Sequence, residues 1–197
     1  GSYAGKCTDD GGCNILIGKD AGCKNTSGTN NIAVGHGAMA SCETSGADNI
    51  TLGVNAGWHI SSGACNIFIG KQAGKYAATV GDTIAMGRCS GLTAGGGNAN
   101  IFLGPLSGSQ SGTAADNDAS YNVALGYKVG NALTDGDNNV FLGYYAGKTI
   151  TSGAQNIAIG QASMGSGTVT GSRNVVIGCS AGKKITSALN NVVVGTD

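Results

Sequence analysis

The chain has 197 residues, of which 37 are glycine, one is proline and 5% are aromatic, and its eleven basic and eleven acidic residues cancel. That neutral balance, with no basic cluster, argues against a nucleic-acid partner and against an anionic membrane surface. Glycine that is frequent but not strictly every third residue excludes collagen, a 41% hydrophobic content is too high for a flexible linker, and no apolar run approaches the length of a membrane span.

The first recognisable element is Asn14-Ile-Leu-Ile-Gly18, and it recurs along the whole chain. Copies open at Asn14, Asn31, Asn49, Asn66, Thr83, Asn100, Asn122, Asn139, Asn156, Asn174 and Asn191, in steps of 17, 18, 17, 17, 17, 22, 17, 17, 18 and 17 residues. No composition shift or linker divides the series, so residues 1–197 read as a single repeat domain.

Within each copy the second position is Ile or Val, and the fourth is Ile, Val, Leu or Met. Apolar residues spaced by two predict a short strand with one face buried. The fifth position is always Gly, from Gly18 to Gly195, which predicts a backbone with positive φ or a close approach to another segment. Turn chemistry follows, first as x-x-Ala-Gly (Asp20-Ala21-Gly22, Tyr145-Ala146-Gly147) and then as Thr/Ser-Gly (Thr26-Ser27-Gly28). Nothing between the strands has helical spacing.

A unit of this size cannot bury its own apolar face, so copies must stack strand upon strand. The fold expected is all-β: a β-solenoid of about eleven 17-residue coils, packed as a homotrimer or fibre. The Asn that opens each strand is expected to stack on its neighbours, its amide bonding along the ladder or to the turn backbone.

The third position lies between the two columns assigned to the core, yet ten of its eleven residues are apolar. If it points outward, the outer face must be covered, most simply by identical rods. Leu16, Phe68, Phe102, Phe141, Val176 and Val193 are therefore the expected oligomer interface. The run Phe68, Ala85, Phe102, Ala124, Phe141, Ala158 alternates large and small, as interleaving rings require.

The recurring N-[IV]-x-[ILV]-G-x-x-A-G followed by Thr/Ser-Gly resembles the glycine-rich repeats of tail-fibre and other fibre proteins of bacteriophages and of large algal viruses. More distantly it is similar to the head repeats of trimeric autotransporter adhesins, whose units are shorter. The resemblance spans the chain and implies a trimeric, β-rich fibre on a virion surface or outside the cell.

The 22-residue step carries five extra residues in the polar stretch from Ser109 to Ser120. A solenoid keeps register by expelling insertions, so Thr113, Asp116, Asn117 and Asp118 are expected on a projecting loop, a candidate contact for a receptor or a neighbouring fibre.

The cysteines are Cys7, Cys13, Cys23, Cys42, Cys65, Cys89 and Cys179. With no C-x-x-C and only His36 and His59 beside them, a closed zinc site is not expected. Cys7, Cys23 and Cys42 fall six, five and seven residues after their repeat Gly, which makes them the candidate disulfide set, against buried thiols as the plain alternative. Two sequons, Asn25-Thr-Ser and Asn49-Ile-Thr, mark candidate glycosylation sites.

Catalytic and metal readings find little support. Gly35-His36-Gly37-Ala38-Met39-Ala40 matches a dinucleotide fingerprint without the helix it needs. Cys42 with His36 or His59 has nucleophile and base but nothing recurring to orient them, and Asp135-Gly136-Asp137 is a fragment of a calcium loop. No catalytic residue, metal or cofactor is expected. The chain starts and stops inside a repeat, as a fragment or unit of a longer fibre would. The expected function is a structural and adhesive shaft, with self-association and a cell-surface receptor or glycan as partners. The alternatives are an end-to-end extracellular filament or an ice-binding solenoid.

Overall fold

A computed structural model describes residues 1–92, 96–109 and 118–196. They contain eleven three-residue strands and no helix: β1 (Ile15–Ile17), β2 (Ile32–Val34), β3 (Ile50–Leu52), β4 (Ile67–Ile69), β5 (Ile84–Met86), β6 (Ile101–Leu103), β7 (Val123–Leu125), β8 (Val140–Leu142), β9 (Ile157–Ile159), β10 (Val175–Ile177) and β11 (Val192–Val194). Each strand pairs in parallel with the next, and the eleven form one sheet in sequence order. This is a parallel β-solenoid in which successive coils stack like steps. At ~4.8 Å per strand the ladder is roughly 50 Å long.

Register never slips. Ile50 sits opposite Ile67, Thr51 opposite Phe68 and Leu52 opposite Ile69. The same one-to-one pairing crosses the 22-residue step, where Phe102 faces Ala124 and Leu103 faces Leu125.

The repeat glycine meets both requirements read from the sequence. Gly143 has φ +130°, and a Cβ placed on it would lie 2.8 Å from the carbonyl oxygen of Gly160 in the next coil. The chain therefore turns at a conformation that L-residues avoid, at a point where coils touch backbone to backbone. The residue before each ladder Asn is also left-handed, with φ of 59° at Cys65, 61° at Tyr121 and 58° at Asn138. Their φ lies where Asn and Gly are most at ease, and the chain uses Cys, Tyr, Gln and Arg there as well.

The orientation of the strands overturns one expectation. The middle residue points into the coil: Ala33, Thr51, Phe68, Ala85, Ala124, Phe141, Ala158 and Val176 are 0% exposed and Phe102 is 4% exposed. Leu16 and Val193, in the outermost strands, pack against the same core. These residues, assigned from the sequence to an oligomer interface, are the core of the coil itself. The flanking Ile, Val, Leu and Met residues face out, half-buried or exposed along the sheet.

The large and small alternation is the packing solution for this interior. A Cβ on Gly74, Gly108 or Gly147 would lie 2.5 to 2.7 Å from the ring of Phe68, Phe102 or Phe141, so the turn glycine opens the space each ring fills. Where the strand supplies Ala, the turn often supplies bulk. Met39 fills the coil of Ala33, Val129 that of Ala124, and Met164 that of Ala158, all of them buried. In these three coils the turn side chain takes up space that the strand residue leaves, as close packing requires.

Candidate functional surfaces

Four features of the solenoid carry chemistry: the Asn ladder, the outward apolar strip, a cluster of tyrosines and the thiols. The ladder is built as expected. The Asn49 side chain donates through Nδ2 to Asn31 Oδ1 at 3.0 Å and to the Gly63 carbonyl at 2.9 Å, while its backbone amide donates to the same Asn31 Oδ1 at 2.9 Å. Asn139 repeats the set with Asn122 and Gly153. From Asn31 to Asn174 each ladder carboxamide is buried with its polar atoms engaged, so the column is structural and is not presented to a ligand. Thr83 is the one irregular rung: its amide donates to Asn66 Oδ1 at 3.0 Å, but its hydroxyl turns back to the Gly81 carbonyl at 3.3 Å.

Burial removes both glycosylation candidates. Asn25 and Asn49 are 0% exposed, and Nδ2 of Asn25 donates to the Gly28 carbonyl at 3.1 Å. A glycan on either would have to displace packed backbone.

The outward strip consists of two columns, Ile15 to Val192 and Ile17 to Val194. Every residue in it is Ile, Val, Leu or Met. It is continuous because the strands pair one-to-one in register along the whole sheet. Thr51, the only threonine in the strands, is buried and donates to the Ile32 carbonyl at 3.3 Å. A flat threonine array of the kind an ice binder uses is therefore missing from this face.

A second surface gathers three of the six tyrosines. Tyr127 and Tyr144 follow the repeat Gly in consecutive coils and stack with centroids 5.5 Å apart and planes 14° apart. Tyr145 stands edge-on to Tyr144 at 4.2 Å, with Lys148 Nζ 4.6 Å and Lys128 Nζ 5.8 Å from its ring. Exact stacking of coils turns equivalent positions into a ladder of rings.

All seven cysteines are free thiols. Of the candidate disulfide set, Cys42 stands apart, its Sγ 3.3 Å from His59 Nδ1, while Cys23 Sγ donates to the Ala40 carbonyl at 3.2 Å. Cys7 touches the neighbouring coil through its amide, which donates to the Cys23 carbonyl at 3.1 Å. Tyr3, Lys6, Cys7, Asp20, Cys23 and Lys24 line an open hollow of about 280 Å³. Burial first, and then Asp20, push the Cys23 thiol above its ordinary value.

His36 does not join Cys42; its Nε2 lies 3.8 Å from Asp20 Oδ2. The Gly35 to Ala40 fingerprint leads into buried Ala38 and Met39 with no helix, and Asp137 Oδ1 accepts the Ser120 amide at 2.7 Å. Among the described residues no three His, Cys, Asp or Glu side chains gather to hold a metal. Of the loop candidates, Thr113, Asp116 and Asn117 lie outside the described residues. Asp118 is exposed, and its carbonyl accepts the Ser120 hydroxyl at 3.2 Å.

No protein-family model, curated protein or solved structure matches this chain. The class the fold defines is the parallel β-solenoid, and function must be argued from its surfaces.

Proposed function

We propose that the chain is a structural and adhesive fibre component, not an enzyme: a stiff shaft that packs along its length against copies of itself, as a trimer or a filament. The observation that carries this reading is the outward double column of Ile, Val, Leu and Met. Ile15 is 51% exposed, Met86 40%, Leu142 37% and Ile177 37%, so apolar surface runs from one end of the sheet to the other. With strands ~4.8 Å apart and two side-chain columns, the strip measures roughly 50 by 10 Å, or about 500 Å². That is near the upper limit for a solitary soluble protein, and two strips face to face remove about 1,000 Å², near the lower limit of specific interfaces. Charge does not oppose the contact, since the chain is neutral overall.

The virion-surface or extracellular setting rests on the resemblance of the repeat to viral fibre proteins. A receptor or glycan partner finds support in the Tyr127, Tyr144 and Tyr145 cluster, where the exposed Tyr144 ring, two half-buried rings and two lysines offer both an apolar face and cations. The test is sedimentation of wild type beside a Leu103→Lys, Leu125→Lys double variant. Wild type should sediment as an oligomer, and the variant as a folded monomer with unchanged circular dichroism. A wild-type chain that stays monomeric at high micromolar concentration would remove the basis of the proposal.

A further inference from the structure

The step from Asn31 to Asn49 has eighteen residues, and backbone bonds locate the extra one. The Ser41 amide donates to the Trp58 carbonyl at 2.9 Å, and four residues later the Ser45 amide donates to the Ser61 carbonyl at 2.7 Å. Four residues on one coil thus span three on the next, and the surplus falls within 42–44. This local change of register sets Cys42 against His59, where regular stacking would pair His59 with Ser41. The resulting Sγ to Nδ1 distance of 3.3 Å is a hydrogen-bonding contact, and both side chains are half-buried with access to solvent.

The surroundings keep the imidazole uncharged beside the thiol. Burial first, and then Lys75, hold His59 below its ordinary value, so at neutral pH the imidazole is uncharged and able to accept a proton at Nδ1. The Tyr76 ring lies beside the imidazole, with centroids 5.3 Å apart, and Lys75 Nζ sits 4.8 Å from the Tyr76 ring. From the preceding coil, Lys24 Nζ donates to the Ser41 carbonyl at 3.3 Å, beside the thiol. Cys42 thus has a base in contact, with Lys24 bonded to the preceding residue and Lys75 acting on the imidazole. Among the described residues no other cysteine has an imidazole partner: Cys23 donates to a carbonyl and Cys89 to Gln72 Oε1 at 3.5 Å.

We propose that Cys42 and His59 form a reactive thiol–imidazole pair that undergoes thiol–disulfide exchange with an incoming disulfide, giving the shaft one site of covalent attachment. The Cys42 proton passes to His59 Nδ1, and the thiolate attacks one sulfur of the incoming disulfide. A new S–S bond forms to Cys42 as the old one breaks, and the departing thiolate takes the proton back from the imidazolium. Cys42 is oxidised and the incoming disulfide is reduced to one mixed disulfide and one free thiol, so no further oxidant is needed.

The experiment treats the full chain with oxidised glutathione at pH 7 and follows each cysteine by peptide mass mapping over time. Cys42 should acquire the adduct before Cys23, which is also half-buried. His59→Gln should slow the Cys42 reaction by about tenfold or more, as loss of a general base does, while Cys13 and Cys65 react as before. Cys42→Ser should abolish the fast phase. In wild type, an adduct at Cys42 that forms no faster than at Cys23 overturns the proposal without recourse to any variant. An unchanged Cys42 rate in folded His59→Gln overturns it equally.

Discussion

Thr83 is the rung at which the Asn ladder loses a side-chain donor. Its neighbours show what an Asn does there: Nδ2 bridges the carboxamide of the preceding coil and a carbonyl of its own turn, as at Asn66, which donates to Asn49 Oδ1 at 3.0 Å and to the Val80 carbonyl. Thr83→Asn should restore both bonds and stabilise the protein by about 1 kcal/mol, read as a higher denaturation midpoint with an unchanged slope. The repeat glycine predicts the opposite sign. Gly143→Val puts a β-branched side chain at φ +130° and against the Gly160 carbonyl, and should cost ~2–4 kcal/mol by the same measurement. A neutral Val would mean that the coils separate more easily than their backbone contact implies. The Asn and Gly columns were legible because one residue type recurs at one offset. The Cys42 and His59 contact was not, because it depends on where the extra residue of one coil is absorbed, and residue counting leaves that open.

At the scale of the element, ten of the eleven strands are three residues that are all apolar, so period-two patterning could not say which face is buried. Assigning the second and fourth positions to the core left Phe68, Phe102 and Phe141 outside, whereas the structure buries all three. A signal was present in the turns. Met39, Val129 and Met164 stand in copies whose strand has Ala in the middle, and such compensation of volume is a property of an enclosed interior. A uniform column of Ile and Val has no volume to compensate and belongs on an open, flat face. Phe102→Asp should therefore unfold the central coils, since it buries an unpaired charge in the solenoid interior. Phe141→Ala should cost about 3–5 kcal/mol through the cavity it leaves. Both effects should appear in a monomeric background such as the Leu103→Lys, Leu125→Lys variant, which separates the core from the interface. If Phe102→Asp dissociated oligomers and left monomers intact, the inward assignment would fail.

At the scale of the whole molecule, stability is a sum over coils and their nearest-neighbour contacts, so a local irregularity need not propagate. Pairing of β6 with β7 across the longest step is direct support, with Ile101 opposite Val123 as in any regular pair. Deleting Thr113 to Asn117 restores a 17-residue step and should leave the circular dichroism spectrum and the unfolding midpoint close to wild type. Unfolding of that variant would show that the inserted residues belong to the core. The same additivity makes the outward strip long: eleven short strands, each too small to form an apolar surface, become one because parallel stacking aligns them.

The sequence by itself determined the unit, its length, the strand within it, the turning glycine and the Asn ladder, because each is a local requirement repeated eleven times and repetition makes it visible. Only the tertiary structure decided which way the strand faces, that Asn25 and Asn49 are closed to modification, and that Cys42 meets His59. Those depend on how the turns close the coil and on the register between one coil and the next. That closure is set by the space left between backbone segments and by the volumes that fill it, and the spacing of residues along the chain does not specify it.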